Sequence, residues 1–197
     1  MMQDQKLINK IKSGNRKAFR EFVEYYKKDV YFMAFRLSGN HSDADDLSQI
    51  VFIKFFRTIS KYRQETNMKS WLYKIAINSY IDKERKKVNK IIFRFNPDTE
   101  NDKSYDEHIV SDKANPEQLT ESVMIKNHID NALVKLSPKE KSVFILKHYH
   151  GQSSKEIAKI LKTSEGTVKS LLFRGIKKLR SALSFYKPEL GLGEQNG

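Results

Sequence analysis

The 197-residue sequence contains no cysteine, only 4 prolines and 8 glycines, and no long apolar run. Without cysteine, a disulfide scaffold, a cysteine-ligated zinc site and a thiol nucleophile are all excluded. No apolar run approaches the roughly 20 residues needed to cross a bilayer, and the N-terminus lacks the apolar core of a signal peptide. We therefore expect a cytoplasmic protein.

Acidic residues are fewer than basic ones. The sequence has 24 Asp and Glu and 37 Lys and Arg, which gives a net charge of +13. Such an excess attracts polyanions, of which nucleic acid is the commonest and an acidic membrane surface the main rival. The hydrophobic fraction of 39% is sufficient for compact cores. The five histidines are scattered without the spacing of a metal site, so we expect neither a metal nor a cofactor.

Apolar residues recur at helical spacing along most of the chain. The first stripe comprises Phe22, Tyr26, Val30, Met33 and Leu37. The second comprises Leu47, Val51, Phe55 and Ile59, widened by Phe52 and Phe56, and the third Trp71, Ile75, Asn78 and Asp82. Only the short run Ile91–Phe95 alternates in the manner of a strand. The pattern predicts an all-α protein.

An acidic stretch divides the chain into two basic parts. From Pro97 to Glu121 there are eight acidic residues and two lysines, a net charge of −6, which leaves +19 for the rest. This stretch is polar and poor in apolar residues, as linkers are. We predict two small helical domains, residues 1–90 and 115–186, joined by an acidic flexible linker at 91–114 and followed by a tail at 187–197.

Helix-start signals mark the second domain. Asn115-Pro116-Glu117 is typical of a capped first turn, and Ser137–Glu140 and Ser153–Glu156 each have the spacing of a capping box. An apolar face follows the first of these signals and contains Ile125, Ile129, Leu133 and Leu136. These signals predict at least four helices between residues 115 and 185.

The segment from Ser153 to Arg180 has the pattern of a helix-turn-helix. A short helix is followed by a turn at Lys162-Thr163 and by a longer helix that Ser164 caps. The longer helix has an inward apolar line of Val168, Leu172, Ile176 and Leu179. Its polar and basic face suits the major groove, although an ordinary helical hairpin with solvated lysines would have similar residues. The predicted DNA contacts are Ser164, Glu165, Thr167, Lys169, Ser170, Arg174, Lys177 and Lys178.

Three segments of the chain resemble the extracytoplasmic-function class of RNA polymerase sigma factors, and they follow one another along the chain in the order found in that class. Leu136–Ala158 with Ser164–Ser170 is similar to the region 4 of that class, which reads the upstream promoter element and docks on the polymerase flap. Asp43–Gln49 with Phe52 is similar to the part of region 2 that binds the polymerase clamp. Trp71–Asn78, with Asp82 and Arg85, resembles the helix that melts the promoter and reads its downstream element.

The resemblance implies two sets of site residues in the first domain. Those expected to bind core polymerase are Asp43, Asp45, Asp46, Gln49 and Phe52. Those expected to act in promoter melting and downstream recognition are Tyr62, Arg63, Gln64, Asn67, Lys74, Asn78, Arg85 and Lys86. Tyr62 would stack on an unpaired base and Asn67 or Gln64 would hydrogen-bond its edge. A core role is expected for Trp71, the sole tryptophan.

The expected partners are core RNA polymerase, at its clamp and flap, promoter DNA and an anti-sigma protein, and no catalytic residue is expected because the polymerase performs the nucleotide chemistry. Some positions depart from the family pattern: Ile50 replaces the usual Glu, Gln64-Glu65 replaces a common Gly-Asp, and Leu171 and Ile176 stand where related proteins often have Arg. The competing interpretation is a helix-turn-helix regulator that binds duplex DNA without core polymerase.

Overall fold

The computed structural model describes residues 2–62, 67–94 and 121–184, and this part of the chain is built of α-helices with one short 3-10 turn. The first unit contains α1 (Met2–Lys12), α2 (Arg16–Ser38), α3 (His41–Thr58), the 3-10 turn (Ile59–Lys61) and α4 (Met68–Arg94). The second contains α5 (Glu121–Val134), α6 (Pro138–His148), α7 (Ser154–Leu161) and α8 (Glu165–Ala182). The all-α prediction is confirmed. No helix within these ranges is both long and apolar enough to span a membrane.

A tight connection at Gly39-Asn40 makes α2 and α3 a hairpin. Gly39 adopts φ 84°, a left-handed conformation that costs glycine little, and its N–H donates to the Phe35 carbonyl. Asn40 then caps α3 by accepting a hydrogen bond from the Asp43 N–H at 2.8 Å. This short connection forces the two helices to pack side by side.

The core of the first unit confirms the first two apolar stripes. Every residue predicted on the inward line of α2 is buried, and the Phe22 and Phe55 rings stack at a centroid distance of 4.1 Å. The predicted widening of the α3 stripe is only partly right. Phe52 is half-buried and Phe56 is 45% exposed, because the buried line of α3 follows Val51 and Phe55 and leaves their neighbours at its edge.

Helix α4 differs from its predicted stripe and from its predicted end. Trp71 and Ile75 are only half-buried and Asn78 is exposed, while the line one step further round the helix is buried. That buried line comprises Leu72, Tyr73, Ala76, Ile77 and Tyr80. The helix continues to Arg94, beyond the expected linker start at residue 91, so the alternating run is helical as far as it is described. The predicted helix start at residues 115–117 lies outside the described residues.

The capping signals of the second unit are confirmed. Ser137 with Glu140, and Ser153 with Glu156, form complete capping boxes at α6 and α7. The turn after α7 places Lys162 at φ 52°, and Ser164 caps α8. The buried line of α8 runs through Val168, Leu171, Gly175 and Leu179, so that Leu172 and Ile176, predicted to face inward, are half-buried beside it.

The two units pack against each other, which the sequence did not indicate. Val143, Ile145 and Leu146 of α6 and Ile157 of α7 belong to the same buried apolar cluster as the core of the first unit. A smaller cluster with Leu133, Leu136 and Leu179 joins α5, the α5–α6 turn and α8. The two predicted helical units are therefore present, and in the described part of the chain they share one buried apolar cluster.

Candidate functional site

A groove between α2 and α3 presents aromatic rings and charges together. It encloses about 540 Å³ and is open to solvent. Its lining residues are Lys27, Lys28, Tyr31, Phe32, Asp45, Ser48, Gln49 and Phe52. Phe32 is 54% exposed, and the Tyr31 hydroxyl is held by a hydrogen bond of 2.5 Å to His41 Nδ1. An exposed ring between opposite charges suits the docking of another protein.

The predicted acidic cluster at the start of α3 divides into exposed and paired carboxylates. Asp45 and Asp46 are exposed, and Asp45 with Gln49 lies in the groove whereas Asp46 does not line it. Asp43, expected to contact a partner, instead binds Lys83 Nζ of α4 at 2.6 Å, with Lys87 Nζ at 3.7 Å. The Lys83 hydrogen bond holds the pKa of Asp43 below its usual range. In this structure Asp43 therefore ties α3 to α4.

The residues before α4 differ most from expectation. Tyr62 is 8% exposed and its ring packs on Trp71 at 5.0 Å, so it is not available to stack on a base in this conformation. Trp71 also meets Phe55 at 5.3 Å, which confirms its core role. Asn67 is exposed, and its side chain accepts a hydrogen bond from the Lys69 N–H at 2.9 Å. Arg63 and Gln64 lie outside the described residues.

The outer face of α4 has a row of polar and basic side chains. Lys74 is half-buried, whereas Asn78, Arg85 and Lys86 are exposed. Arg85 forms an ion pair of 3.2 Å with Asp82 one turn earlier, and both side chains remain mostly in solvent. A pair this exposed contributes little to stability, so the Arg85 guanidinium can readily exchange its partner for a phosphate.

Helices α7 and α8 form the predicted helix-turn-helix. Ser164 accepts a hydrogen bond from the Thr167 N–H at 3.1 Å, and the two hydroxyls are 2.9 Å apart. Glu165 and Thr167 are exposed in the first turn of α8, where a recognition helix meets base edges. The Ser170 hydroxyl donates to the Gly166 carbonyl at 3.0 Å, which orients its oxygen along the helix surface.

The exposed face of α8 includes an aromatic residue that the sequence prediction omitted. Phe173 is 71% exposed and shares a shallow hollow with Lys169, Ser170 and Arg174. An apolar side chain on a recognition helix can contact a thymine methyl group. Its position between Ser170 and Arg174 is the signal that could have identified it.

Buried Glu140 anchors the basic residues of α8 from the first turn of α6. Its side chain is 5% exposed and binds Lys178 Nζ at 2.6 Å, with Arg174 Nε at 3.8 Å. It also accepts the Ser137 N–H at 3.0 Å. Burial alone would raise the pKa of Glu140, but the hydrogen bonds from Lys178 and Ser137 outweigh it and the pKa lies below its usual range. Glu140 is therefore an ionised link between α6 and α8.

The geometry agrees with the matches to known proteins. Residues 22–89 match the family described as Sigma-70 region 2, and residues 126–179 match Sigma-70, region 4. The ECF RNA polymerase sigma factor SigW of Bacillus subtilis is 34% identical over 183 residues, which cover 92% of this chain and 97% of that protein. The chain belongs to the sigma-70 family. More narrowly, it belongs among the ECF RNA polymerase sigma factors.

A second relative supports the assignment, and a solved structure has a similar fold. The ECF RNA polymerase sigma factor SigE of Mycolicibacterium smegmatis is 32% identical, over 86% of this sigma factor and 63% of that protein. The fold resembles that of the sigma factor RpoE in its complex with the anti-sigma factor NepR from Bartonella quintana, with a TM-score of 0.62 and 23% identity over 85% of this chain and 98% of that one.

The matched regions locate the candidate surfaces within the sigma factor. The groove and the outer face of α4 lie in the region 2 match, and α8 lies in the region 4 match. Leu171, where the family pattern often has Arg, is 6% exposed and packs inward, so it offers no DNA contact. Phe173 and Arg174, by contrast, are exposed on the same helix.

We predict that Glu140→Gln lowers the free energy of unfolding of the sigma factor by about 1–3 kcal/mol, because the half-exposed Lys178 ammonium loses a charged partner whose own side chain is buried. Urea unfolding of the full chain measures this. Glu156→Gln is the matched control, because Glu156 closes the same kind of capping box at α7 without an ion pair to α8. An equally large effect at both positions would show that only the cap matters.

Proposed function

We propose that this sigma factor binds core RNA polymerase through the α2–α3 groove, opens promoter DNA with α4, and reads the upstream promoter element with α8. The observation that carries the proposal is the presence in one chain of a region 2 match with an open groove between α2 and α3 and a region 4 match with a helix-turn-helix. A DNA-binding regulator needs only the second of these.

The groove suits a helical surface of the polymerase clamp. Asp45 and Gln49 are one turn apart on α3, so a basic side chain of the clamp can meet a carboxylate and an amide together. Phe32 and Phe52 line the same groove and provide the apolar contact that dominates affinity. Asp46 follows Asp45 in the sequence, is exposed and adds negative charge to the first half of α3.

The outer face of α4 supports a role in promoter opening. Asn78 is exposed where it can hydrogen-bond a base, and Lys74, Arg85 and Lys86 supply positive charge for the strand backbone. Asn67 lies just before this helix and offers an amide to an unpaired base. Tyr62 would contribute only if its ring left the Trp71 contact, so Asn67 is the stronger candidate.

The upstream element is assigned to α8. Its first turn presents Glu165 and Thr167, and its middle presents Lys169, Ser170 and Arg174. Lys177 follows on the exposed surface and suits a phosphate. Lys178 is bound to Glu140, but its side chain is still 46% exposed, so it adds positive charge to the same surface. We infer that the chain carries out no covalent catalysis and acts in the cytoplasm beside the polymerase, with an anti-sigma protein as a further partner.

Run-off transcription tests this proposal. Core RNA polymerase with the full chain should initiate at defined start points on genomic fragments, whereas core alone should not. Permanganate footprinting should then show unpaired thymines only with both components present. Specific duplex binding by the chain alone, with no effect of added core on initiation, would indicate the regulator instead.

A further inference from the structure

The first unit has a surface that the second unit of the same chain occupies. Lys141 of α6 is 5% exposed and its ammonium donates to the Leu37 carbonyl in the last turn of α2, at 2.9 Å. This end of a helix carries partial negative charge, which favours a cation. A buried contact between residues 104 positions apart therefore fixes α6 on α2.

The turn after α6 adds three further contacts across the same surface. The Arg36 guanidinium lies over the Tyr149 ring at 4.3 Å, and the His150 ring packs against Tyr73 of α4 at 4.3 Å. The Ser70 hydroxyl donates to Gln152 Oε1 at 3.3 Å. Contacts of this kind are specific in geometry but individually modest in energy.

Two polar groups make this packing costly. Lys141 has no carboxylate within ion-pair distance among the described residues, and burial lowers its pKa. Within the described parts of the chain, His150 Nε2 is buried and has no hydrogen-bond partner. Both groups recover their hydration when the units separate, which favours separation.

If His150 were protonated, the charged groups that face it would include no carboxylate free to pair with it. From α2, Arg36 and Asp29 face it, and from α4, Lys69 and Tyr73 do. Asp29, the acid of this group, is already bound to Lys69 Nζ at 2.6 Å. A proton on Nε2 would place positive charge near two cations and out of contact with water.

We propose that the packing of the second unit on the first is a reversible clasp, and that protonation of His150 opens it. The closed form holds α4 and α8 at one fixed separation, whereas the open form lets each meet its own DNA site. That consequence rests on the proposed function, but the opening itself does not.

The direction of the pH dependence follows from the burial of His150. Desolvation, followed by repulsion from Arg36, lowers its pKa from 6.5 to about 4 in the closed form. The closed form is therefore favoured above pH 6.5 and loses that advantage as the pH falls toward 4. Between pH 7.5 and 5.5 the ratio of open to closed molecules should rise about tenfold.

Single-molecule energy transfer on the full chain measures this ratio. The native sequence has no cysteine, so Ser60→Cys and Ser181→Cys, both at exposed positions, provide the two dye sites. We expect the high-transfer population to fall as the pH is lowered from 7.5 to 5.5. His150→Gln cannot take up a proton and should remove this dependence.

His148→Gln is the matched control, because His148 is exposed two residues away and packs on Phe144 within α6. It should respond to pH as the native chain does. An unchanged ratio in the native chain, or an equal response in His150→Gln, would overturn the clasp. Binding to core polymerase at pH 7.5, measured in parallel, separates this failure from failure of the proposed function, in which no binding occurs at all.

Discussion

Replacing Asp45 and Gln49 together by arginine should weaken binding to core RNA polymerase by about 30-fold or more, because it sets cations against the basic side chain that the groove is proposed to receive. Both residues line the α2–α3 groove, and Gln49 is exposed. Fluorescence anisotropy of the labelled chain, titrated with core polymerase, gives the dissociation constant.

Asp46→Arg is the control on the same helix, where it changes the charge by two units against three in the double variant. Asp46 is exposed but does not line the groove, so Asp46→Arg should weaken binding to core polymerase only a few-fold. Far-ultraviolet circular dichroism should show the native helix content in both variants. Equal, large losses would assign binding to the whole acidic end of α3, and unchanged affinity in the double variant would remove the groove from the interface.

Arg174→Ala should reduce transcription from promoters with an intact upstream element by about 5- to 150-fold, if its guanidinium contacts a base edge. The residue is exposed on α8 and shares its hollow with Lys169, Ser170 and Phe173. Transcription should also be measured from promoters that each have one substitution in the upstream element. With Arg174→Ala, substitutions at the base pair that Arg174 contacts should no longer change transcription. A general loss of positive charge would not remove the effect at one position alone.

Lys177→Ala provides the comparison, because Lys177 is exposed further along the same helix and is assigned to a phosphate. It should weaken binding evenly across promoter sequences and lower the slope of log affinity against log salt by about one. If the two variants behaved identically, α8 would be a general electrostatic contact and not a reader of sequence.

Local patterns in the sequence account for most of the fold. The α2 stripe and both capping boxes depend on residues a few positions apart, and the structure has them as expected. Stripe edges were predicted less well. Phe56 and Ile176 each follow a buried residue in the sequence, but neither is itself fully buried. The shape of the facing helix decides which of two adjacent residues is buried.

Long-range contacts explain what sequence reasoning missed. Asp43 is paired because Lys83 arrives from a helix 40 positions away, and Tyr62 is buried because Trp71 and α1 close over the 3-10 turn. The sequence analysis assigns no role to Lys141 or His150, and both lie between the two units. Local periodicity contains no information about such pairings.

The affinity of the full chain for core RNA polymerase, measured in the absence of DNA, tests the central claim most directly. A sigma factor that docks through its region 2 groove should bind core saturably, with one chain per polymerase. If core did not bind while the chain still held duplex upstream DNA tightly, the assignment of this groove and the proposed function would both be contradicted.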